Sequence, residues 1–166
     1  LNVSIFDQNE RPSFGQTSYV FSGIAENVGL GTIVGTVVAT DPDSYSATFS
    51  KKQYYFAGIY ARASADGAFN VSSVSSDGKF IIDVNTGQIT IRESLNYEAQ
   101  NQYTQTVYVT DNLNNATARM QSVAVQINVA DVNEAPTLNA LSIGINEQPA
   151  NPTAIVGTFS ASDPDT

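Results

Sequence analysis

The sequence predicts an all-β protein. Its centre is a seven-stranded Greek-key β-sandwich, with part of one further repeat before it and part of another after it. Apolar and polar residues alternate in several runs, most clearly over 123–129, and no segment keeps the period of a helix. Turn-forming residues separate these runs. An acidic hexapeptide at 131–136 has a counterpart at 7–12, which predicts an internal repeat.

The two hexapeptides are Asp7-Gln8-Asn9-Glu10-Arg11-Pro12 and Asp131-Val132-Asn133-Glu134-Ala135-Pro136, offset by 124 residues. Residues 33–44 recur as 155–166, sharing Ile-Val-Gly-Thr and Asp-Pro-Asp, and Glu26 recurs as Glu147. These landmarks keep their order at nearly constant spacing, which indicates a repeat of about 120 residues.

The repeat divides the chain into three parts. We expect residues 1–12 to hold the last strand of a preceding repeat and a linker. Residues 13–131 then form one complete repeat. Residues 132–166 hold a second linker and the first strands of a following repeat.

The first half of the complete repeat contains three predicted strands. Residues 17–21 form a short strand, with a bend at 25–27, and the apolar, β-branched stretch 31–40 forms the second. Asp41-Pro42-Asp43 ends that strand, because proline cannot donate to a ladder. Residues 44–53 are polar and predict a loop, and 54–60 predicts the third strand.

The second half begins with residues 61–79, rich in Ser, Ala, Gly and Asp, which predict a loop or a weak hairpin around 69–71. Residues 80–84 and 88–91 then form a hairpin whose turn offers Gly87 where positive φ is needed. Two alternating runs, 103–110 and 117–129, supply the last strands.

Composition removes several classes of function. The chain has no Cys, His or Trp, which excludes Ser-His and Cys-His catalysis and zinc sites built on imidazole or thiolate. A net charge of -9 argues against nucleic-acid binding. Most of the sixteen acidic residues stand at strand ends or in the linkers. Clustered carboxylates repel one another unless a cation lies among them, and oxygen-only ligands favour a hard cation such as calcium.

With these motifs in place, the chain resembles the cadherin repeat, particularly the cadherin-like repeats of bacterial surface proteins. The family's linker pattern, Asp-x-Asn-Asp-Asn followed by Pro, is similar to Asp131-Val132-Asn133-Glu134-Ala135-Pro136. Its Leu-Asp-x-Glu motif is similar to Leu95-Asn96-Tyr97-Glu98, which follows an Asp83-x-x-Thr86-Gly87 turn. The family's other acidic positions match Glu26, Asp41, Asp43, Asp111, Asp163 and Asp165.

The resemblance implies calcium ions in both linkers. At the second linker it implies ligands from Glu26, Asn96, Glu98, Asp131, Asn133, Glu134, Asp163 and Asp165, and from the carbonyls of Val132 and Ala135. At the first linker it implies Asp7, Asn9, Glu10, the Arg11 carbonyl, Asp41, Asp43 and Asp111. Asn96 and Glu134 each replace an Asp of the family pattern, so we expect a weaker or absent outermost ion at the second linker.

The resemblance also implies a function. We expect a module of a long extracellular adhesin in which calcium at the linkers stiffens an array of repeats. Neighbouring repeats of the same chain are the expected partners, with another adhesin copy or a surface polysaccharide as further possibilities.

Two other readings of the residues remain open. A binding module that recognises a carbohydrate or a copy of itself could use Tyr54, Tyr55, Phe56 and Tyr60 as a stacking platform, although these aromatics are more typical of core packing. An acid-pair hydrolase could use Asp41 and Asp43, but two acids on one turn beside an expected ion site are typical of metal ligands. We therefore expect no enzyme activity.

Overall fold

The computed structural model describes residues 1–6, 8–43, 51–64, 67–111, 118–144 and 157–165. The chain forms two compact units, Leu1–Asp131 and Val132–Thr166. The described residues contain strands, turns and bends and no helix, which confirms the all-β prediction. Within the same residues, no helix has the length and apolar character needed to cross a membrane.

The described residues of the first unit form ten strand segments, several of them short. The first four are β1 (Ser13–Phe14), β2 (Ser18–Ala25), β3 (Ile33–Thr36) and β4 (Ala39–Thr40). The next three are β5 (Lys52–Ser64), β6 (Gly67–Ser72) and β7 (Phe80–Ile82). The last three are β8 (Gln88–Ile91), β9 (Gln102–Asp111) and β10 (Met120–Ala130).

The larger sheet has five strands in the order β2-β10-β9-β5-β6. All its pairings are antiparallel except β2 with β10, which run parallel. A parallel pair requires a long crossover, and here the rest of the unit supplies it. The smaller sheet has the order β3-β8-β7, and β1 pairs with β4 separately.

The core lies between the sheets and follows the predicted alternation. Tyr103, Val107 and Val109 of β9 are buried, as are Val123, Val125, Ile127 and Val129 of β10. Phe56 of β5 and Phe80 of β7 have no exposed surface, and the Phe80 ring meets Tyr103 edge-to-face at 5.2 Å. Both sheets therefore contribute alternate side chains to one apolar layer.

The predicted strand 31–40 is two strands, so this prediction is wrong in detail. β3 pairs with β8 in the smaller sheet, whereas β4 pairs with β1. Between them, Val37 is fully buried and its N–H donates to the Gly87 carbonyl at 3.0 Å. The bend lets one continuous apolar run leave the smaller sheet and pair with β1, which its residue pattern alone cannot indicate.

The weak hairpin expected within 61–79 is a long one. β5 and β6 pair from Phe56↔Ser72 to Ser64↔Gly67, with a register shift at which Val71 faces both Ala57 and Tyr60. Gly58 lies in this bulge, and an added Cβ there would meet Ser72 at 2.3 Å. Small residues lower the strand propensity of this stretch, so pairing rather than propensity makes the hairpin.

The predicted hairpin at 80–91 is present, with β7 paired to β8. In its turn, the Asp83 carboxylate accepts hydrogen bonds from the N–H groups of Asn85 (2.9 Å) and Thr86 (2.8 Å). Gly87 has φ of 73°, and an added Cβ would lie 2.4 Å from the Val37 carbonyl oxygen. Only glycine combines this dihedral with so close a backbone approach.

A polar contact joins the two sheets at the margin of this apolar core. The Gln105 side chain on β9 is buried and donates to the Asp77 carboxylate at 2.5 Å. Asp77 also accepts from the Ser75 hydroxyl (2.5 Å) and the Lys79 N–H (2.9 Å). Asp77 thus fixes the turn before β7 and anchors it to the larger sheet.

The second unit repeats the local pairing of the first. Its strands are β11 (Thr137–Leu138) and β12 (Ala161–Ser162), paired as Thr137↔Ser162 and Leu138↔Ala161. In the first unit, β1 and β4 pair as Ser13↔Thr40 and Phe14↔Ala39. Each partner corresponds to its counterpart by the offsets seen in the sequence. The division into residues 1–12, 13–131 and 132–166 remains a prediction.

Gly87→Ala should destabilise the protein by about 2 kcal/mol or more, because a left-handed alanine costs roughly 1–2 kcal/mol and the Val37 carbonyl must also move. Gly15→Ala is the control, since an added Cβ there meets nothing within 4 Å. Urea unfolding measures both. Equal stabilities of the two variants would contradict the role assigned to Gly87.

Gln105→Ala should destabilise the protein by about 1–3 kcal/mol, because it removes a buried hydrogen-bond partner of Asp77. Gln102→Ala on the same strand is the matched control, because Gln102 is exposed and its side-chain hydrogen bond to Asn128 is exposed as well. Its cost should stay below about 0.5 kcal/mol in the same urea titration. A similar loss for both would remove the distinction between buried and exposed glutamines.

Candidate metal centres

The first acid cluster consists of Asp41, Asp43 and Asp111, with Asn9 and Glu10 beside them. Asp41 and Asp43 follow the end of β4, where Pro42 stops the ladder, and Asp111 ends β9. Sequence-distant elements therefore present their carboxylates at one end of the sandwich.

Hydrogen bonds hold each member of the first acid cluster in position. The Asp41 carboxylate accepts from the Asp43 N–H at 2.9 Å, and the Asp43 carboxylate accepts from the Glu10 N–H at 2.7 Å. Asp111 accepts from the Arg119 N–H at 2.6 Å. The Glu10 contact attaches the segment before β1 to the loop after β4.

Burial makes the first acid cluster unusual. Asp41, Asp43 and Asp111 are 6%, 4% and 0% exposed. The Oδ2 atoms of Asp41 and Asp111 are inaccessible to solvent and have no hydrogen-bond partner among the described residues. A buried acceptor without a partner is costly, more so when it is charged, and binding of a ligand would remove that cost.

The electrostatics agree with this interpretation. Burial raises the pKa of Asp111. Hydrogen bonds from Arg119 and Asn9 lower this pKa, and the charges of Asp41 and Asp43 raise it further. Burial also raises the pKa of Asp41, opposed by the Asp43 N–H and reinforced by the Asp43 charge. The two carboxyls thus resist ionisation in the metal-free protein.

The second acid cluster consists of Glu26, Glu98 and Asp131, with carboxylate oxygens all within 4.8 Å of one another. Glu26 follows β2, is buried, and accepts from the Tyr97 N–H at 2.7 Å. Glu98 and Asp131 are exposed, with Asp131 directly after β10. The structure thus brings together three of the acids predicted as second-linker ligands.

Asn96 has a second role that the sequence pattern did not indicate. Its side-chain oxygen accepts from the Ala99 N–H at 2.6 Å, and its carbonyl accepts from the Gln100 N–H at 3.0 Å. Asn96 therefore caps the turn that carries Glu98. Its assignment as a metal ligand stays a prediction.

The second unit reproduces the hydrogen bonds of the first acid cluster. The Glu134 N–H donates to Asp165 at 2.7 Å, and the Asp165 N–H donates to Asp163 at 3.1 Å. These bonds correspond to Glu10 with Asp43 and Asp43 with Asp41. The Asp-Pro-Asp turn and the linker glutamate therefore form one recurring local structure.

The structure shows few contacts for the remaining predicted ligands. Asp7 lies outside the described residues, as does Glu147. Arg11 and Ala135 are exposed and Val132 is half-buried, and the Asn133 side chain donates to the Glu134 carbonyl at 3.0 Å. The roles of all four as ligands stay predictions.

Sequence reasoning missed the groups that position the acids. These are the main-chain donors of Arg119 and Tyr97, which orient Asp111 and Glu26. Main-chain donors carry no signal in residue identity, so no motif could have revealed them.

Two of the four aromatic residues considered as a sugar-stacking platform are buried. Tyr54 and Phe56 are buried in the core, and the Tyr54 hydroxyl accepts from the Ala39 N–H at 3.1 Å. Tyr55 is half-buried on the opposite face, and the side chain of Tyr60 lies outside the described part of the chain. Neither Tyr54 nor Phe56 can stack on a sugar.

Comparison with known proteins identifies the family. The family model named "Cadherin domain" matches residues 19–130. Cadherin-18 of Bos taurus is 34% identical over 166 residues, covering 99% of this chain and 18% of that protein. Cadherin-23 of Mus musculus is 34% identical over 134 residues, covering 80% of this chain and 3% of that protein. The chain thus spans less than a fifth of these relatives, and the attribution to bacterial surface proteins stays a prediction.

Solved structures agree with the sequence relatives. Mouse Cadherin-23 EC22-24 superposes with a TM-score of 0.63 at 30% identity, over 93% of this chain and 44% of that one. Extracellular domains 1-4 of protocadherin gamma B7 give 0.58 at 26% identity, over 93% and 33%. The chain therefore belongs to the cadherin family and contains a repeat of its extracellular, cell-surface adhesion type.

Proposed function

We propose that this cadherin repeat binds calcium at both acid clusters and that the ions stiffen its junctions with neighbouring repeats. The observation that carries the proposal is the first acid cluster, where Asp41, Asp43 and Asp111 are almost wholly buried. Two of their oxygens lack a hydrogen-bond partner among the described residues.

The donor set favours calcium over other metals. Both clusters offer carboxylate oxygens, and the first also has the Asn9 side chain and the Glu10 main chain nearby. The chain has no Cys or His, so a soft or imidazole-preferring metal finds no ligand of its preferred type. Calcium accepts six to eight oxygens in flexible geometry, which suits carboxylates from separate elements.

Calcium would act on the first acid cluster by neutralising repulsion. Ionisation of Asp41 and Asp111 is costly because both are buried near other carboxylates, as the raised pKa of each indicates. A divalent cation removes that cost and joins the loop after β4 to the end of β9. Through the Glu10 contact, it also holds the segment that enters the repeat.

The second acid cluster would serve the other end of the repeat. Glu26, Glu98 and Asp131 converge there. Among the described residues, neither Glu98 nor Asp131 forms an ion pair with a basic side chain. We extend the expectation to Asn133, Glu134, Asp163, Asp165 and the Val132 and Ala135 carbonyls as further ligands. Asn96 would act mainly through the turn it caps, which is consistent with a weaker outermost ion.

The immediate function is then mechanical. Ion binding and segment order are linked, so calcium favours the ordered junction by its binding free energy. Neighbouring repeats are the first partners, and another copy of the adhesin is the second. Family membership indicates a non-enzymatic adhesion role, and we propose that the chain has no catalytic activity. Support for a polysaccharide partner is lacking.

Calcium at about 10 mM should raise the unfolding free energy by roughly 1.5–3 kcal/mol, given dissociation constants of about 10⁻⁴ to 10⁻³ M for extracellular modules. Magnesium at the same concentration should do much less, because it surrenders its waters reluctantly. Asp111→Asn should lose most of the gain, and Glu98→Gln part of it. Thermal and urea unfolding measure each.

Glu93→Gln is the matched control, because it removes one negative charge from an exposed ion pair with Arg92. Its calcium response should equal that of the unmodified protein. If Glu93→Gln and Asp111→Asn lost the response equally, the effect would be general screening rather than a site. No calcium response in any form would refute the proposal.

The metal-free protein should show a defined pH dependence. A carboxyl whose folded pKa is raised binds protons more tightly when folded, so its contribution to stability falls as pH rises from about 4 through the raised pKa. Asp111→Asn removes this term. The stability difference between Asp111→Asn and the unmodified protein, measured by urea unfolding in EGTA, should therefore grow in favour of the variant as pH rises. A difference independent of pH would contradict the shift.

A further inference from the structure

Two tyrosine hydroxyls bind the main chain just before the first acid cluster. The Tyr19 hydroxyl donates to the Val38 carbonyl at 2.8 Å and accepts from the Val38 N–H at 3.0 Å. The Tyr54 hydroxyl accepts from the N–H of the next residue, Ala39, at 3.1 Å. We refer to the hydroxyls of Tyr19 and Tyr54 as the hydroxyl pair. Side chains therefore hold this stretch of main chain, in addition to the pairing of β4 with β1.

The stretch held by the hydroxyl pair leads directly to two of the expected metal ligands. Asp41 lies two residues after Ala39, and Asp43 lies four residues after it. The strand that carries them, β4, is two residues long and pairs with an equally short β1. So short a two-stranded ladder is marginally stable by itself. The hydrogen bonds of the hydroxyl pair therefore add to the order of the Asp-Pro-Asp turn.

The same two tyrosines also contact the segment that enters the repeat. The Phe14 ring of β1 meets Tyr19 edge-to-face at 6.2 Å and Tyr54 at 6.5 Å. The Phe14 N–H donates to the Gln121 side chain of β10 at 2.7 Å. β1 begins three residues after Glu10, which lies beside the first acid cluster. The two tyrosines thus contact both chain segments that lead to this cluster.

Burial gives these hydrogen bonds their weight. Tyr19 and Tyr54 are 8% and 4% exposed, so their hydroxyls need partners within the protein. Val38, in contrast, is 57% exposed. Core packing therefore contributes little to the position of Val38, and its two hydrogen bonds with the Tyr19 hydroxyl contribute more.

We propose that Tyr19 and Tyr54 are positioning residues of the first calcium site. The inference rests on the proposed function, because it concerns the affinity of that site. When Asp41 and Asp43 are ionised without metal they repel each other, which favours local opening of the segment that carries them. The hydroxyl pair opposes this opening. Apparent affinity falls with the fraction of protein that holds the binding geometry, so removal of either hydroxyl weakens calcium binding.

Calorimetric titration of the whole chain with calcium tests the proposal, with Tyr19→Phe and Tyr54→Phe as the variants. Phenylalanine keeps the aromatic ring and removes only the hydroxyl. Each variant should raise the dissociation constant of the first acid cluster about two- to tenfold, the factor that corresponds to one lost hydrogen bond. Asp111→Asn and Glu98→Gln assign the heats to the first and second acid clusters. The dissociation constant of the second cluster should not change.

Tyr103→Phe is the matched control, because Tyr103 is 3% exposed in the same core and its ring packs against Phe80. It removes the same group and should leave the dissociation constant of the first acid cluster unchanged. Urea unfolding in EGTA establishes that all three variants fold. A purely structural role of Tyr19 and Tyr54 would lower stability without altering calcium affinity, and that result would overturn the proposal. Equal weakening of calcium binding by Tyr103→Phe would overturn it as well.

Amide hydrogen exchange in EGTA supplies a readout that needs no bound metal. The informative amides are those of Glu10 and Asp43, because they donate to the acid cluster rather than to a tyrosine. Both should exchange about two- to tenfold faster in Tyr19→Phe and Tyr54→Phe, while amides of β9 and β10 keep their rates.

The two proposals fail separately. Normal calcium binding by the unmodified chain, with unchanged affinity and unchanged exchange in both variants, would refute the role of the hydroxyl pair and leave the calcium site standing. An unmodified chain that binds no calcium at the first acid cluster would refute the proposed function there, and this inference with it.

Discussion

Three carboxylates packed into one end of a β-sandwich are the constraint on which the rest of the arrangement depends. Asp41, Asp43 and Asp111 are withdrawn from water, and hydrogen bonds from Glu10 and Arg119 satisfy only part of their capacity. When ionised, these carboxylates repel one another, which destabilises this end of the first unit. A cation bound at this end would relieve the repulsion, and under the proposed function that relief couples the junction to calcium.

The second unit shows that this local structure follows from a short sequence pattern. The same strand pairing and the same two hydrogen bonds recur around Glu134, Asp163 and Asp165. Proline in the Asp-Pro-Asp turn ends the strand, and the second Asp receives the linker N–H. Few residues are needed to form this local structure, so it can form in both units. Asp111 is supplied separately, by the end of β9.

The sequence correctly predicted the strands whose side chains are buried in strict alternation. It did not predict strand boundaries that are set by the partner strand. Val123 to Val129 and Tyr103 to Val109 bury the expected side chains because period two is a local property. The split after Thr36 involves the hydrogen bond from Val37 to Gly87, which lies far along the chain, and the β5–β6 hairpin includes a register shift at Val71 that no residue pattern marks. Glu26, Glu98 and Asp131 could be grouped in advance only through family motifs, and their main-chain donors could not be foreseen.

The charge pattern sets the ends of the module apart from its sheets. The first and second acid clusters lie at opposite ends of the sandwich, because Asp111 stands beside the start of β10 and Asp131 follows its end. An end rich in carboxylates attracts a cation and repels another such end, so under the proposed function contacts there depend on the ion. Calcium would therefore control stiffness along the chain by acting at both ends of the repeat.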